Sequence, residues 1–190
     1  MIRSVHAVSR FEKHAFSIIT AAVAAMMLAA PQPAKAQSPR WAMNGAGCVP
    51  TGTTIQLENY LMVAGHVKFQ AGKTGQIVLT CPVAVGVGNV NRLGVAYIDS
   101  TGTGTASGVR VQLRRIRKTT GNVETVTGFD FNSNSSFPST ASWAHRGAGP
   151  ASGHTLDDFN YYYYVQVTLT RSNTSDSASI GGVELSRVIT

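Results

Sequence analysis

The sequence predicts an all-β fold: an antiparallel two-sheet β-sandwich of jelly-roll or Greek-key type, with about eight strands and one disulfide. Three observations lead there. The stretch from Phe159 to Arg171 places Tyr161, Tyr163, Val165, Val167 and Leu169 at odd positions and Gln166, Thr168 and Thr170 at even ones, the two-residue period of a strand with one buried face. Shorter runs of the same period recur between turns rich in Gly, Asn and Ser. No segment beyond the amino-terminal region shows the 3.6-residue period of a helix.

The amino-terminal region reads as a targeting segment. Arg3, Arg10, Lys13 and His14 form a basic start, Ala15 to Ala30 is an uncharged and mostly apolar run, and Ala34-Lys35-Ala36 is a small-x-small cleavage site. As a helix this run would span about 24 Å, short of the ~30 Å hydrocarbon core, so a cleaved Sec-type signal over 1–36 is expected rather than an anchor. No Arg-Arg pair and no Cys at the cleavage point suggest a twin-arginine route or a lipid anchor. The destination expected is the bacterial periplasm or the exterior.

Cleavage leaves residues 37–190 as one expected sandwich domain, with twelve Lys and Arg against eight Asp and Glu. That modest positive charge, with no binding motif for nucleic acid, argues against a nucleic-acid partner. No later apolar run is long enough to insert stably in a bilayer as a helix. Cys48 and Cys81 are the two cysteines, and an oxidising compartment favours their pairing.

Gln37 to Gly52 mixes Pro39 and Pro50 with three glycines around Cys48 and has no period, so it is expected to be an arm pinned by the disulfide. Thr54 to Leu61 alternates loosely, and Val67 with Phe69 forms a short apolar pair. Gln76 to Cys81 alternates cleanly, placing Ile77, Leu79 and Cys81 on one face. Leu93, Val95 and Tyr97 lead into Asp99 and a glycine-rich loop from Ser100 to Gly108. Val109, Val111 and Leu113 then alternate with Arg110, Gln112 and Arg114, a strand with an apolar inner face and a basic outer one. Arg115 and Ile116 break that parity, and either a strand end or a bulge is expected, because a continued period would turn Arg115 inward. Val123 to Phe131 is the next strand. Asn132 to Asp158 reads as a 27-residue loop with Trp143 near its centre and room for a short edge strand at Ala141 to His145. The alternating stretch to Arg171 follows; burying its odd residues contributes on the order of 10 kcal/mol gross. A last strand runs through Val183 and Leu185.

Chemistry-bearing constellations are sparse. His145, His154, Asp157 and Asp158 lie near one another in sequence, an imidazole–carboxylate set suited to a metal or to acid–base work, but their spacing through a Gly-Pro loop defines no ligand geometry. His145, His154 and Asp157 are the weak metal candidates. Asp99 to Gly104 has the glycines of a calcium loop and one carboxylate, too few for that ion. Serine in a Gly-x-Ser-x-Gly elbow is absent. Arg110, Arg114, Arg115, Arg117 and Lys118 form the densest basic cluster, suited to an anionic surface or to a solvated sheet face. Trp41, Tyr60, Trp143, Tyr162 and Tyr164 are the aromatics an inward period leaves unexplained, and flat exposed rings stack on sugars or on a partner's apolar groups.

Length, export signal and early disulfide resemble those of chaperone–usher pilus subunits, incomplete sandwiches completed by a neighbour's amino-terminal strand. That resemblance implies an assembly subunit. A donor arm needs alternating apolar residues, however, and Gln37 to Gly47 offers Trp41 and Met43 alone, while Ser186 to Thr190 lacks the aromatic such subunits present. The function expected first is a monomeric, cofactor-free, non-catalytic module that binds an envelope glycan or another secreted protein. Trp143, Tyr162, Tyr164, Arg110 and Arg114 are its contact residues. A structural or pilin-like subunit is the alternative, and a metal-dependent enzyme built on His145 to Asp158 comes third.

Overall fold

A computed structural model of the chain describes residues 38–52, 58–137 and 140–188. The expected signal at 1–36, and residues 54–57 of the Thr54 to Leu61 stretch, lie outside the described residues. The described chain folds as two antiparallel sheets packed face to face. Among the described residues no helix is long and apolar enough to cross a membrane.

Among the described residues there are thirteen strands rather than about eight: β1 (Ser38–Asn44), β2 (Val49–Pro50), β3 (Tyr60–Val63), β4 (His66–Phe69), β5 (Gly75–Pro82), β6 (Asn89–Val90), β7 (Arg92–Asp99), β8 (Ser107–Arg117), β9 (Val123–Asn132), β10 (Thr140–Ala148), β11 (His154–Thr155), β12 (Tyr161–Arg171) and β13 (Ala178–Arg187). The excess comes from elements of two to four residues, too short to display a period. One helical turn, α1 (Ser133–Ser136), follows β9. The first sheet has the order β10-β7-β13-β4-β3, with β1 also on β13; the second has β2-β5-β12-β8-β9; β11 and β6 form a separate pair. After β5 the chain alternates between the two sheets from β5 to β7 to β8 and from β9 to β10 to β12 to β13, with only the β8–β9 hairpin kept within one sheet, a crossing pattern of jelly-roll type.

β12 is the central strand of the second sheet, pairing β8 along its whole length from Tyr161↔Arg117 to Arg171↔Ser107, and β5 on its other side. Its odd residues are buried and its even ones face outward, as the alternation predicts. β13 plays the same part in the first sheet. It pairs β7 on one side; on the other, Ser179 and Ile180 pair β4 while Gly182 to Arg187 pair β1. The inner faces of the two sheets share one apolar core, with Leu93, Val95, Ile180 and Leu185 from the first against Leu79, Val111, Leu113, Val165 and Val167 from the second.

The arm expected at Gln37 to Gly52 is in part a strand. β1 follows the edge of β13, and Trp41, expected among the exposed aromatics, is 9% exposed opposite Leu185. Hydrogen bonding to β13, not an apolar period of its own, makes this segment extended. Cys48 then bridges to Cys81 on β5, with Cα atoms 4.2 Å apart, where the chain leaves the first sheet for the second. The long loop expected from Asn132 to Asp158 contains α1, β10 and β11. β10 escaped notice as a full strand because it is an edge strand, mostly exposed, whose small residues carry little alternation.

The parity break at Arg115 has an unexpected resolution. β8 neither ends nor bulges against β12; the register shift lies on the β9 side, near Gly128 with φ +84°. The period therefore continues and Arg115 does turn inward, opposite Tyr163, at the rim of the sandwich. An ion pair with Glu124 at 2.6 Å and the Tyr161 ring 4.2 Å beneath its guanidinium make that position tolerable. Ile116 consequently faces outward.

Candidate functional site

The outer face of the second sheet is a ladder of side chains set by strand register. Across it, Pro82, Tyr164, Arg114 and Thr125 form one row, and Thr80, Gln166, Gln112 and Asp130 the next; Val78, Thr168, Arg110 and Asn132 follow. Tyr162 and Ile116 pair beyond the first row. Aromatic and apolar groups thus gather at one end of the face and amides, hydroxyls and guanidinium groups fill the rest. Tyr162 is 61% exposed, and the Lys118 ammonium sits 4.6 Å over its ring. A shallow cleft of about 440 Å3 opens beside it, lined by Tyr164, Ile116, Pro82, Thr80 and Gln166.

Hydrogen bonds hold the ladder in place. Arg114 Nη1 donates to Gln166 Oε1 at 2.7 Å. Arg110 grips Asp130 with two donors, Nε at 3.0 Å and Nη2 at 2.6 Å, and Gln112 Nε2 donates to the same carboxylate at 2.9 Å. The Arg110 bond, reinforced by Gln112, holds the Asp130 carboxyl below the usual carboxylate range. The basic cluster therefore does not form one cationic patch. Arg110 is matched by Asp130, Arg115 and Arg117 share Glu124, and Lys118 Nζ donates to the Asp158 carbonyl.

Four of the five contact residues expected from sequence, Tyr162, Tyr164, Arg110 and Arg114, lie on this face. Trp143 does not. It belongs to β10 and lies on the outer face of the opposite sheet, 47% exposed, with its ring against Gly181 and its edge 5.3 Å from the His66 ring. Adjacency in sequence to β12 misled here, because the connection after β10 crosses from one sheet to the other.

The His145 to Asp158 set is dispersed in the same way. His145 shares the Trp143 face, its Nε2 3.6 Å from Glu184 Oε1. His154 sits at the rim beside Tyr163 and Phe129, its ring nitrogen 3.4 Å from the Tyr163 hydroxyl. Burial, and secondarily the Arg115 charge, hold its pKa below the usual histidine value. Asp157 caps a turn, accepting from the Asn160 backbone and amide at 3.1 and 2.7 Å, and Asp158 accepts from Gly86 N–H. Among the described residues no three His, Cys, Asp or Glu side chains come together to hold a metal ion. Asp99 is likewise occupied: its buried carboxylate accepts from the hydroxyls of Thr101, Ser107 and Ser133.

Ile116, Gln166, Thr80 and Pro82 are cleft residues that the sequence reading did not single out. Parity held the signal for two of them: Gln166 was already outward, and Ile116 follows once β8 continues without a bulge.

No family model matches the sequence, and no curated protein matches it. Solved structures share the sandwich at low similarity. A family 61 carbohydrate-binding module in complex with β-1,4-galactotriose is 13% identical, with a TM-score of 0.39 over 78% of this chain and 88% of its own. A family 6 module from Clostridium stercorarium in complex with cellobiose is 9% identical, with a TM-score of 0.42 over 78% of this chain and 94% of its own. A family 30 carbohydrate-binding module gives 10% and 0.39, again over 78% and 94%. At this distance no ligand and no residue role carries over to the present chain.

Proposed function

We propose that the protein is an exported, non-catalytic binding module that takes an envelope glycan on the outer face of its second sheet, and does so as a monomer. One observation carries this reading: the face presents a cluster of rings, Tyr162 and Tyr164, running directly into rows of amide, hydroxyl and guanidinium groups. A glycan offers the same two chemistries, apolar C–H faces that stack on rings and hydroxyls that both donate and accept. Arg114 and Gln166 order one another, so little side-chain entropy is lost when they meet a ligand. Pairing of Arg110 with Asp130 removes one cation from the face, and Arg114 and Lys118 leave it with a modest positive charge rather than a dense cationic patch. Export is supported by the signal-like start and by a buried disulfide, a bond typical of oxidising compartments.

Affinity electrophoresis of the purified protein through gels containing soluble polysaccharides, with pull-down on insoluble envelope fractions, tests the reading. Retardation by at least one glycan, lost in the Tyr162→Ala/Tyr164→Ala variant while circular dichroism stays native, is the expected result. Retention by no glycan, or equal retention of the folded double variant, would overturn it; retention by a proteinaceous fraction alone would point to a protein partner instead.

A further inference from the structure

The outer face of the first sheet is built on the opposite plan. Register sets Gly147, Gly94, Glu184 and Ala42 in one row across β10, β7, β13 and β1, and His145, Ala96, Gly182 and Asn44 in the next. Five of these eight positions are glycine or alanine. The glycines make room for their neighbours: a Cβ on Gly94 would come 2.6 Å from the flexible Glu184 side chain and displace it, and one on Gly182 would come 3.0 Å from the Met43 carbonyl oxygen. Their effect is a floor without side chains, and a groove of about 320 Å3 opens above it.

Polar side chains stand over a mostly apolar lining. Glu184 reaches across Gly94 to His145, and the Arg92 side chain lies over Gly147 in the same row. Asn44 Oδ1 accepts from Gly47 N–H at 2.8 Å, which leaves its amide N–H groups as donors at the groove edge. At one end stands Trp143, its six-membered ring seated on Gly181, the residue next to the groove-lining Gly182. A carboxylate acceptor, an amide donor and an imidazole line a space at the small end of ligand-pocket volumes, with the indole just beyond its end. An anion would meet Glu184, and the Arg92 guanidinium over neighbouring Gly147 disfavours a cation. A neutral, compact, hydroxyl-rich group meets no such conflict.

We propose that this groove is a second saccharide site, which takes a single neutral pyranose residue against Trp143, Glu184 and Asn44, independently of the ladder on the opposite sheet. The core separates the two faces, so either site can fail without the other.

The two tryptophans provide the readout, since Trp41 is buried and Trp143 exposed. Two indole N–H cross-peaks are followed by NMR in the full exported domain during titration with glucose, galactose, mannose, xylose and N-acetylglucosamine, with Trp143→Phe used to assign them. At least one sugar is expected to shift the Trp143 peak saturably while the Trp41 peak stays in place. Ala42→Leu, which fills the groove from an exposed position, should weaken that sugar by about tenfold or more. Tyr162→Ala/Tyr164→Ala should change it by less than about twofold, because the sites share no contact. If Ala42→Leu fails to fold, Glu184→Gln replaces it with the same expected weakening. No shift with any of the five sugars, an unchanged affinity in the folded groove variant, or loss of the shift in the tyrosine variant would each overturn the proposal. The last outcome would leave glycan binding by the ladder standing, and loss of polysaccharide retention with the Trp143 shift intact would do the reverse.

Discussion

The two outer faces of this sandwich show how one architecture yields two kinds of surface. On the second sheet the outward rows from Tyr162 to Thr168 carry a side chain at every position, and the result is a broad ladder with a shallow cleft at its aromatic end. On the first sheet the outward positions of β7 and β13 are reduced to Gly94, Ala96 and Gly182, and the missing side chains leave a groove between the residues that remain. A ladder contacts a ligand at many points spread over several strands, which suits an extended chain. A groove surrounds a small group. The inner faces, by contrast, are alike in kind, since both must fill one core with apolar volume.

Removing what joins the faces should have the largest effect. Cys48→Ala/Cys81→Ala opens the bridge between β5 and the end of β1, whose partners lie 33 residues apart, and should lower stability by about 4 kcal/mol on the chain-entropy model, read as a shifted midpoint in chemical denaturation. Both faces should still bind below the new midpoint. Selective loss on one face of its binding alone would show that the disulfide positions that face rather than the whole sandwich.

Next in size is the tyrosine pair. Removing two stacking rings should weaken glycan binding by about thirtyfold, from ~1 kcal/mol per ring, while Trp143→Ala leaves polysaccharide retention in gels within about twofold. Equal losses from the two variants would merge the faces into one functional surface and break the contrast drawn between them.

Asp130→Asn acts at the polar end of the ladder and should cost about 0.5 kcal/mol, the scale of an exposed ion pair. Because Arg110 holds the Asp130 carboxyl below its ordinary value, the stability it contributes is complete above the unfolded carboxylate pKa and disappears as pH falls through the lowered folded one. The variant should therefore lose part of the wild-type acid sensitivity in urea titrations at low pH. An identical acid dependence in both proteins would show that this pair does not organise the polar rows.

His154 belongs to neither face and should give the smallest change. Its depressed pKa means that the unfolded chain takes up the proton first, so stability is full above about pH 6.5 and declines as pH falls through the folded value. His154→Gln should flatten denaturation midpoints over that window and leave both binding readouts unmoved. A pH-dependent change in binding at either face in this variant would tie the rim to function.

Much of the fold was legible because alternation is a local property. β5, β7, β8 and β12 each announce their inner face through a run of branched or aromatic residues at period two, and the structure buries those residues. β1 was not legible and β10 only in part, as the edge strand expected at Ala141 to His145, since edge strands take their extended form from a neighbour's hydrogen bonds. Arg115 was misread because an inward cation is excluded only where nothing meets it; Glu124 and Tyr161, distant in sequence or on another strand, do so.

The candidate site divides along the same line. From sequence alone came the all-β class, the pairing of Cys48 with Cys81, the inward set Tyr161, Tyr163, Val165, Val167 and Leu169, and the outward set Tyr162, Tyr164, Arg110 and Arg114. These follow from the alternation of side chains along a strand and from the presence of two cysteines. Tertiary structure alone decided which outward residues stand together. It placed Trp143 and His145 on one sheet and the tyrosines on the other, because a crossing connection separates neighbours in sequence by the full thickness of the core. The glycine floor was invisible in the same way. Gly94 and Gly182 carry no local signal of a site, and only when β7 and β13 are set side by side does the space between their neighbours become a groove.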